Sequence, residues 1–560
     1  MEIVRRILFT LLLSTFNVSL FKCDVSEEPT LTISTGQIKG KSVLFRGCEV
    51  HQFLGIPFAE PPLDELRFIK PVPKSSWSNI LDVKEWKPHC MQTYLPGFND
   101  GYSFDEDCLF LNVIVTQSTL AAVQNDTTKL RPVMVWIHGG GFLFGSANNA
   151  FYDGTALAVM NDVVFVSINY RLGAFGFLHL PESGIPGNMG LWDQLLALKW
   201  VQNNIHFFGG NPDQVTIFGE SAGSMSVSAH ILSPQSNGLF KNAIMQSGSL
   251  YNIPLWINPR TAEIALERVN CTSAIDKVSC LRSVQAENFN LIAEFYPVMG
   301  DEFLPSEPEK LIKSLDKNVN ILLGVVGNEG VGLFRYLRFD ERFFNPNNPV
   351  NLTYVQARNF VKQLFGEQRE QFFTQEYLSH IDRYDHYGFG LAIGHVLGDI
   401  SLTCPTYMFG HDAVKTGKAN VYAYFQTQKP SKTPISLTPN NTWIPATHCD
   451  DLPMVFGLPF TDPSGYSKED TLLSIMMMNA WGSFAKFGEP QFFGDSKRWR
   501  KWKLESGKSD KFVMELNTQR FGLSNNRLAV KCEKNWPFPM DSVNLNINFD
   551  EIINLNHDEL

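Results

Sequence analysis

The chain has 560 residues, 44% of them hydrophobic and 19% charged, with a formal net charge of −10. This composition is ordinary for a globular protein with a large core, and without a Lys/Arg cluster or basic stripe it gives nucleic acid no footing as a partner. No Pro/Gly/Ser-rich linker, charge block or internal repeat divides the chain, so one large decorated α/β domain is expected instead of the two or three domains that length alone suggests.

Arg5 and Arg6 precede a short apolar run at residues 7–13. A positive start followed by a brief apolar stretch reads as a secretory signal over residues 1–23, with cleavage between Ser19 and Cys23. An uncleaved anchor is the competing reading, weakened by Ser14, Thr15 and Asn17 interrupting the run. No later stretch is apolar enough to span a membrane, so no transmembrane anchor is expected. The domain is expected over residues 24–545, with a tail over 546–560.

Residues 132–137 (Pro-Val-Met-Val-Trp-Ile) read as a buried strand. They end in His138-Gly139-Gly140-Gly141-Phe142. Consecutive glycines leave backbone N–H groups uncovered, so a developing oxyanion can approach them. Residues 215–218 form a second strand-like run and lead into Gly219-Glu220-Ser221-Ala222-Gly223, after which residues 224–230 can open a helix. A Gly-x-Ser-x-Gly turn between strand and helix thrusts the serine hydroxyl out in a strained conformation, which suits Ser221 to act as a nucleophile. The pentapeptide alone is a weak signal in so long a chain. Its order after the strand and glycine loop strengthens it.

A carboxylate and then a histidine should follow the serine. Residues 318–326 read as a core strand, and Glu329 stands just past its end, on the rim where parallel sheets carry their chemistry. Residues 421–425 read as another strand, and His448 follows in the loop after it. Residue order picks His448 from 12 histidines; a lone histidine is more often structural. Neighbouring Cys449 reads as a small buried residue. The chain ends His557-Asp558-Glu559-Leu560, a luminal retention address read by a receptor. With the leader, it predicts the endoplasmic reticulum lumen. Sequons at Asn125, Asn270, Asn351 and Asn440 and nine cysteines suit that oxidising compartment.

Further segments carry a resemblance: residues 106–112, 169–173, 187–194, 208–212, 246–249 and 456–459, together with the glycine loop and the serine turn. With these, the chain resembles a type B carboxylesterase of the cholinesterase-like α/β-hydrolase family. It is similar to arthropod carboxyl/cholinesterases, over residues 32 to 532. The resemblance implies an α/β-hydrolase fold with a large, mostly parallel sheet flanked by helices. It implies a Ser221–His448–Glu329 triad, an oxyanion hole of Gly140, Gly141 and Ala222, and supporting roles for Glu220 and Ser247. It also implies disulfides Cys90–Cys108, Cys271–Cys280 and Cys404–Cys532, a structural Arg67–Glu106 ion pair, and fold-supporting roles for Arg171 and Asp193.

The implied activity is hydrolysis of carboxylic esters through an acyl-enzyme, with no metal or organic cofactor. Cholinesterases of this family stack choline on a tryptophan between the first disulfide cysteines. Here residues 90–108 hold no Trp and Phe98 stands about where it would be, a weaker cation–π face. Lipophilic xenobiotic or endogenous esters are therefore expected as substrates. Phe98 and Phe334 are candidate pocket walls, as are Tyr251, Phe295, Tyr296 and Phe339. The alternatives are a lipase or acylglycerol hydrolase, an esterase that sequesters organophosphates or pyrethroids, and a non-catalytic adhesion relative.

Overall fold

The computed structural model describes residues 28–94, 99, 101–125, 128–252, 257–289, 295–336, 352–433, 444–492, 499–505, 508–510, 512–525, 531–533, 543–544 and 547–553. The expected leader, the expected C-terminal retention motif, Phe98, Phe339, Asn351 and Asn440 lie outside the described residues. Phe334 lies in a described helix, but its side chain is not among the described ones, and the same holds for Asn125. Asn270 is exposed beside a disulfide.

Eleven strands form the main sheet. In chain order they are β1 (Lys41–Phe45), β2 (Cys48–Pro57), β3 (Phe110–Thr116), β4 (Arg131–Ile137), β5 (Val164–Ile168) and β6 (Gly210–Glu220). They continue with β7 (Asn242–Gln246), β8 (Val319–Val326), β9 (Ala419–Gln426), β10 (Phe512–Leu516) and β11 (Gly522–Asn525). Their order across the sheet is β11-β10-β9-β8-β7-β6-β4-β5-β3-β2-β1. Pairing is parallel from β5 through β10 and antiparallel at both edges. The expected mostly parallel sheet is present; three of the four strands read from sequence lie within β4, β6 and β9, and the fourth, read as 318–326, matches β8 but for residue 318.

Both faces of this sheet are covered, which is why its central strands read as unbroken apolar runs. Along β4, Val133, Val135 and Ile137 enter one core while Met134 and Trp136 enter the other. The alternation follows from side chains pointing to opposite faces every residue. The first core takes α2 (Met189–Asn204), α3 (Ala222–Leu232) and α6 (Cys404–Lys415); the second takes α1 (Thr155–Asn161) and α7 (Lys468–Phe487). The long α7 starts at a Ser467/Asp470 capping box and stops at Gly488, φ 70°. A third apolar cluster gathers α4 (Glu329–Tyr336) and α5 (His386–Gly398). There a Cβ on Gly330 would lie 1.9 Å from the Gly394 carbonyl oxygen, so the two helices touch backbone to backbone.

All three expected disulfides are formed: Cys90–Cys108, Cys271–Cys280 and Cys404–Cys532. Arg67 pairs with Glu106 beside the first and also donates to the carbonyls of Arg282 and Val284 next to the second. Buried Arg171 and Asp193 form a two-pronged pair with contacts of 2.8 and 2.6 Å. Among the described residues no helix is long and apolar enough to cross a membrane.

Strand order sets the place of chemistry. β4 connects to β5 on one side, and β6 then pairs on the other side of β4. Such a reversal, here at the carboxyl ends of β4 and β6, marks the crevice in which open α/β sheets hold their ligands.

Candidate active site

The glycine loop leaves β4 and the serine turn leaves β6, so both meet at that crevice. Ser221 has φ 59° and ψ −124°, a region a non-glycine residue rarely adopts. Its N–H donates to the Gln246 carbonyl at 2.8 Å, tying the turn to β7. The helix begins directly after it: α3 opens at Ala222, two residues before the expected start. The Ala222 N–H is therefore one of the helix donors without an intrahelical partner.

Glycines make the close approach possible. A Cβ on Gly223 would lie 2.1 Å from the Ile137 carbonyl oxygen, and one on Gly139 would lie 2.5 Å from that of Glu220. Gly140 and Gly141 have φ of 115° and 63°. A Cβ on Gly140 would strike the Phe144 carbonyl oxygen at 2.0 Å, whereas one on Gly141 would meet nothing within 4 Å. The loop is braced by the Tyr170 hydroxyl, which donates to the His138 carbonyl at 2.8 Å. Burial lowers the His138 pKa to about 3, so this imidazole stays neutral and structural.

The acid follows the end of β8, and the histidine lies in the loop following β9. Glu329 is the first residue of α4 and is 1% exposed. Its Oε1 accepts from Ser247 Oγ at 2.6 Å and from the Val326 N–H at 2.8 Å. Its Oε2 lies 2.8 Å from His448 Nδ1. Asn328 and Thr447 form a parallel bridge, and Thr447 Oγ1 donates to the Asn328 carbonyl at 2.9 Å, which pins the two loops together. Below them, Gln246 Nε2 and the Tyr424 hydroxyl donate to Asp451 Oδ2, and Trp481 Nε1 donates to Gln246 Oε1. Glu329 also borders a cavity of about 230 Å³ shared with His395, Asp399 and Phe425.

His448 Nε2 lies 3.1 Å from Glu220 Oε1, and Cys449 Sγ donates to the same oxygen at 3.0 Å. Neither contact is legible in the sequence, which marks Cys449 only as small and buried. Among the described residues Ser221 Oγ makes no hydrogen bond. Burial pushes the Glu220 carboxyl up to about 7, with His448 holding it back. Burial pulls His448 down, but Glu220 and then Glu329 more than offset that and push it up to about 9. The site thus holds one imidazole between two buried carboxylates.

Of the candidate pocket walls, Phe295 is core, and the Tyr251 hydroxyl donates to Asp412 at 3.2 Å while its ring packs on Phe409. Both are packed into the fold. Tyr296 meets the Phe142 ring edge-on beside the glycine loop. Chemically, the arrangement can accept a proton at Nε2, hold the imidazole in one tautomer through Glu329, and offer N–H groups to an anionic oxygen beside a strained serine.

The sequence profile of the carboxylesterase family matches residues 27–534. Acetylcholinesterase of Bungarus fasciatus is 37% identical over 528 residues, covering 88% of this chain and 83% of that protein. Acetylcholinesterase of Leptinotarsa decemlineata is 34% identical over 522 residues, covering 85% and 81%. Cholinesterase of Mus musculus is 33% identical over 548 residues, covering 91% and 87%.

Proposed function

The chain belongs to the carboxylesterase family and is a serine carboxylic-ester hydrolase, and from that premise we propose that Ser221, His448 and Glu329 are its triad and that lipophilic esters are its substrates. The observation that carries this reading is the convergence of the strained Ser221 turn, the Gly140–Gly141 loop and the 2.8 Å Glu329–His448 contact at one crevice.

Ser221 Oγ attacks the ester carbonyl while His448 Nε2 takes its proton. Nε2 faces Glu220 in the resting site, and catalytic hydrogen bonds commonly tighten only in the reacting complex. Glu329 fixes Nδ1–H, so Nε2 presents its lone pair, and stabilises the imidazolium. The tetrahedral oxyanion receives N–H groups from Gly140, Gly141 and Ala222, each donor contributing roughly 2.7–4 kcal/mol to the transition state. His448 returns the proton to the leaving alkoxide, and water then cleaves the acyl-enzyme by the same route.

The relatives named above are cholinesterases, so choline esters are the competing substrates. The absence of tryptophan between Cys90 and Cys108 favours neutral, lipophilic esters. The leader and the HDEL tail support residence in the endoplasmic reticulum lumen, consistent with turnover of xenobiotic or endogenous esters there. Removing residues 557–560 should release the protein into the medium.

The deciding experiment combines two measurements. Purified protein is assayed on aryl, acylglycerol and choline esters, and then treated with a stoichiometric fluorophosphonate and analysed by peptide mass spectrometry. Fast aryl-ester turnover, inactivation and a single adduct on Ser221 are expected. An adduct elsewhere would overturn the triad; preference for choline esters would overturn only the substrate class.

A further inference from the structure

Cys449 is the residue the hydrolytic chemistry leaves unused. It holds φ 73°, a left-handed conformation that favours glycine, and is buried directly after His448. Such strain persists only where the surroundings enforce it. Here it turns the thiol onto Glu220 Oε1 at 3.0 Å, the same oxygen that lies 3.1 Å from His448 Nε2. The thiol sulfur, the carboxylate oxygen and the imidazole nitrogen all lie within 4.8 Å of one another.

We propose that Glu220, His448 and Cys449 form a binding site for a thiophilic divalent cation such as Zn²⁺ or Cd²⁺, and that filling it switches the esterase off. Sulfur, nitrogen and oxygen donors of this kind suit these ions. Tetrahedral ligands at ordinary zinc bond lengths stand about 3.3–3.6 Å apart, so the two observed edges need open only slightly. Three protein ligands leave a fourth position for water. Glu329 on Nδ1 supplies the outer carboxylate that metal-binding histidines usually carry, which leaves Nε2 facing the site.

Charge is balanced as well. The Cys449 S–H bond breaks, any proton held at His448 Nε2 leaves as well, both protons pass to solvent, and sulfur–metal and nitrogen–metal bonds form with no electron transferred. One thiolate and one carboxylate then neutralise a divalent ion in a site where net charge is costly. The ion takes the lone pair that serine activation needs, so binding and hydrolysis exclude each other. The switching rests on the proposed role of His448; the binding site itself does not.

The test titrates the full-length protein with Cd²⁺. It follows the thiolate-to-metal absorption band, proton release, and the rate of fluorophosphonate labelling at Ser221. One equivalent should bind with the band of a single thiolate, and labelling should slow at least tenfold at saturation. Cys449→Gly, which suits the left-handed backbone, should lose the band and bind at least about tenfold more weakly. Cys449→Ser serves as a second variant should the glycine fold poorly, with each protein scored against its own metal-free rate. Cys48→Ser, at the exposed free cysteine, should change nothing. Undiminished binding in both Cys449 variants would overturn the site, as would loss of the band in Cys48→Ser. A band from Cys449 with unslowed labelling would show a thiol acting alone and would equally overturn it. If wild type never labels at Ser221, the triad reading fails while the band and the Cd²⁺ affinities still decide the metal site.

Discussion

The two halves of the site are built by different means. On the nucleophile side, geometry resides in the backbone. Gly139 and Gly223 let two chain segments touch, Ser221 is strained at φ 59°, and the reactive groups are a hydroxyl and N–H donors fixed by the turn itself. On the acid–base side, geometry resides in side chains that converge from far apart. Glu329 and His448 are separated by 119 residues and meet only because β8 and β9 are neighbours. Backbone placement admits almost no tolerance, whereas a side-chain network can lose one member and partly recover. Perturbing each half should therefore give different signatures.

The largest effect should come from Ser221→Ala. Turnover of an aryl ester should fall by at least about three orders of magnitude, while the thermal midpoint changes little, because the alanine occupies the same strained turn. Residual activity above that level in a clean preparation would remove the serine from the mechanism. Gly223→Ala should rank next and differ in kind. Its Cβ would meet the Ile137 carbonyl oxygen at 2.1 Å, so β4 and α3 must separate. Forced overpacking of this sort costs roughly 1–3 kcal/mol, and the displaced Ala222 N–H adds a loss of about 100-fold in kcat. Differential scanning fluorimetry beside the assay would separate the two. A normal melting temperature with normal turnover would show that the backbone half is more pliable than this contact implies.

The same division explains what the sequence made legible. The serine turn and glycine loop are local, so residues at fixed spacing disclose them, and the strands flanking them read as apolar runs because both faces are buried. Glu329 stands at a strand end where many carboxylates are simply solvated, and His448 is one of 12 histidines; residue order points to them only weakly, and resemblance to a family is what singles them out firmly. The same holds for Ser247 and the cysteine pairing. No local signal announces that Glu220 reaches His448 Nε2, that Cys449 reaches Glu220, or that Gln246, Asp451, Tyr424 and Trp481 form a buried chain beneath them. Those contacts depend on the mutual placement of strands β6, β7 and β9, which one-dimensional spacing does not encode.

On the side-chain half, Ser247→Ala should cost less than either change above. Glu329 Oε1 would keep the Val326 N–H but lose the 2.6 Å hydroxyl. A hydrogen bond to a carboxylate is worth about 1.5–3 kcal/mol when nothing compensates. Retention of the second donor should hold the fall in kcat to about tenfold, with KM unchanged. A loss as large as that of Ser221→Ala would mean that the acid half is as unforgiving as the backbone half.

The smallest effect, and the most diagnostic, should come from Glu220→Gln. His448 acts as a base only when neutral. Its pKa is raised, so wild-type activity should climb with pH through a midpoint near about 9 and level off only above it. Burial opposes this rise; the Glu220 charge is the largest single contribution that drives it, and Glu329 adds a hydrogen bond and its own charge, with Asp451 behind them. Replacing that charge with an amide of the same shape should lower the histidine's pKa and move the acid limb of kcat/KM to lower pH. The sign follows directly: removing a negative neighbour destabilises the imidazolium, so the free base persists further into acid. At pH above the wild-type plateau the two proteins should differ by only a few-fold. Near neutral pH the variant should gain relative to wild type unless Glu220 also guides the imidazole towards Ser221. A limb that stays in place would assign the raised pKa to Glu329 with Asp451 behind it, and the histidine would then be tuned chiefly by the partner that orients it, with Glu220 left to packing and to the thiol of Cys449.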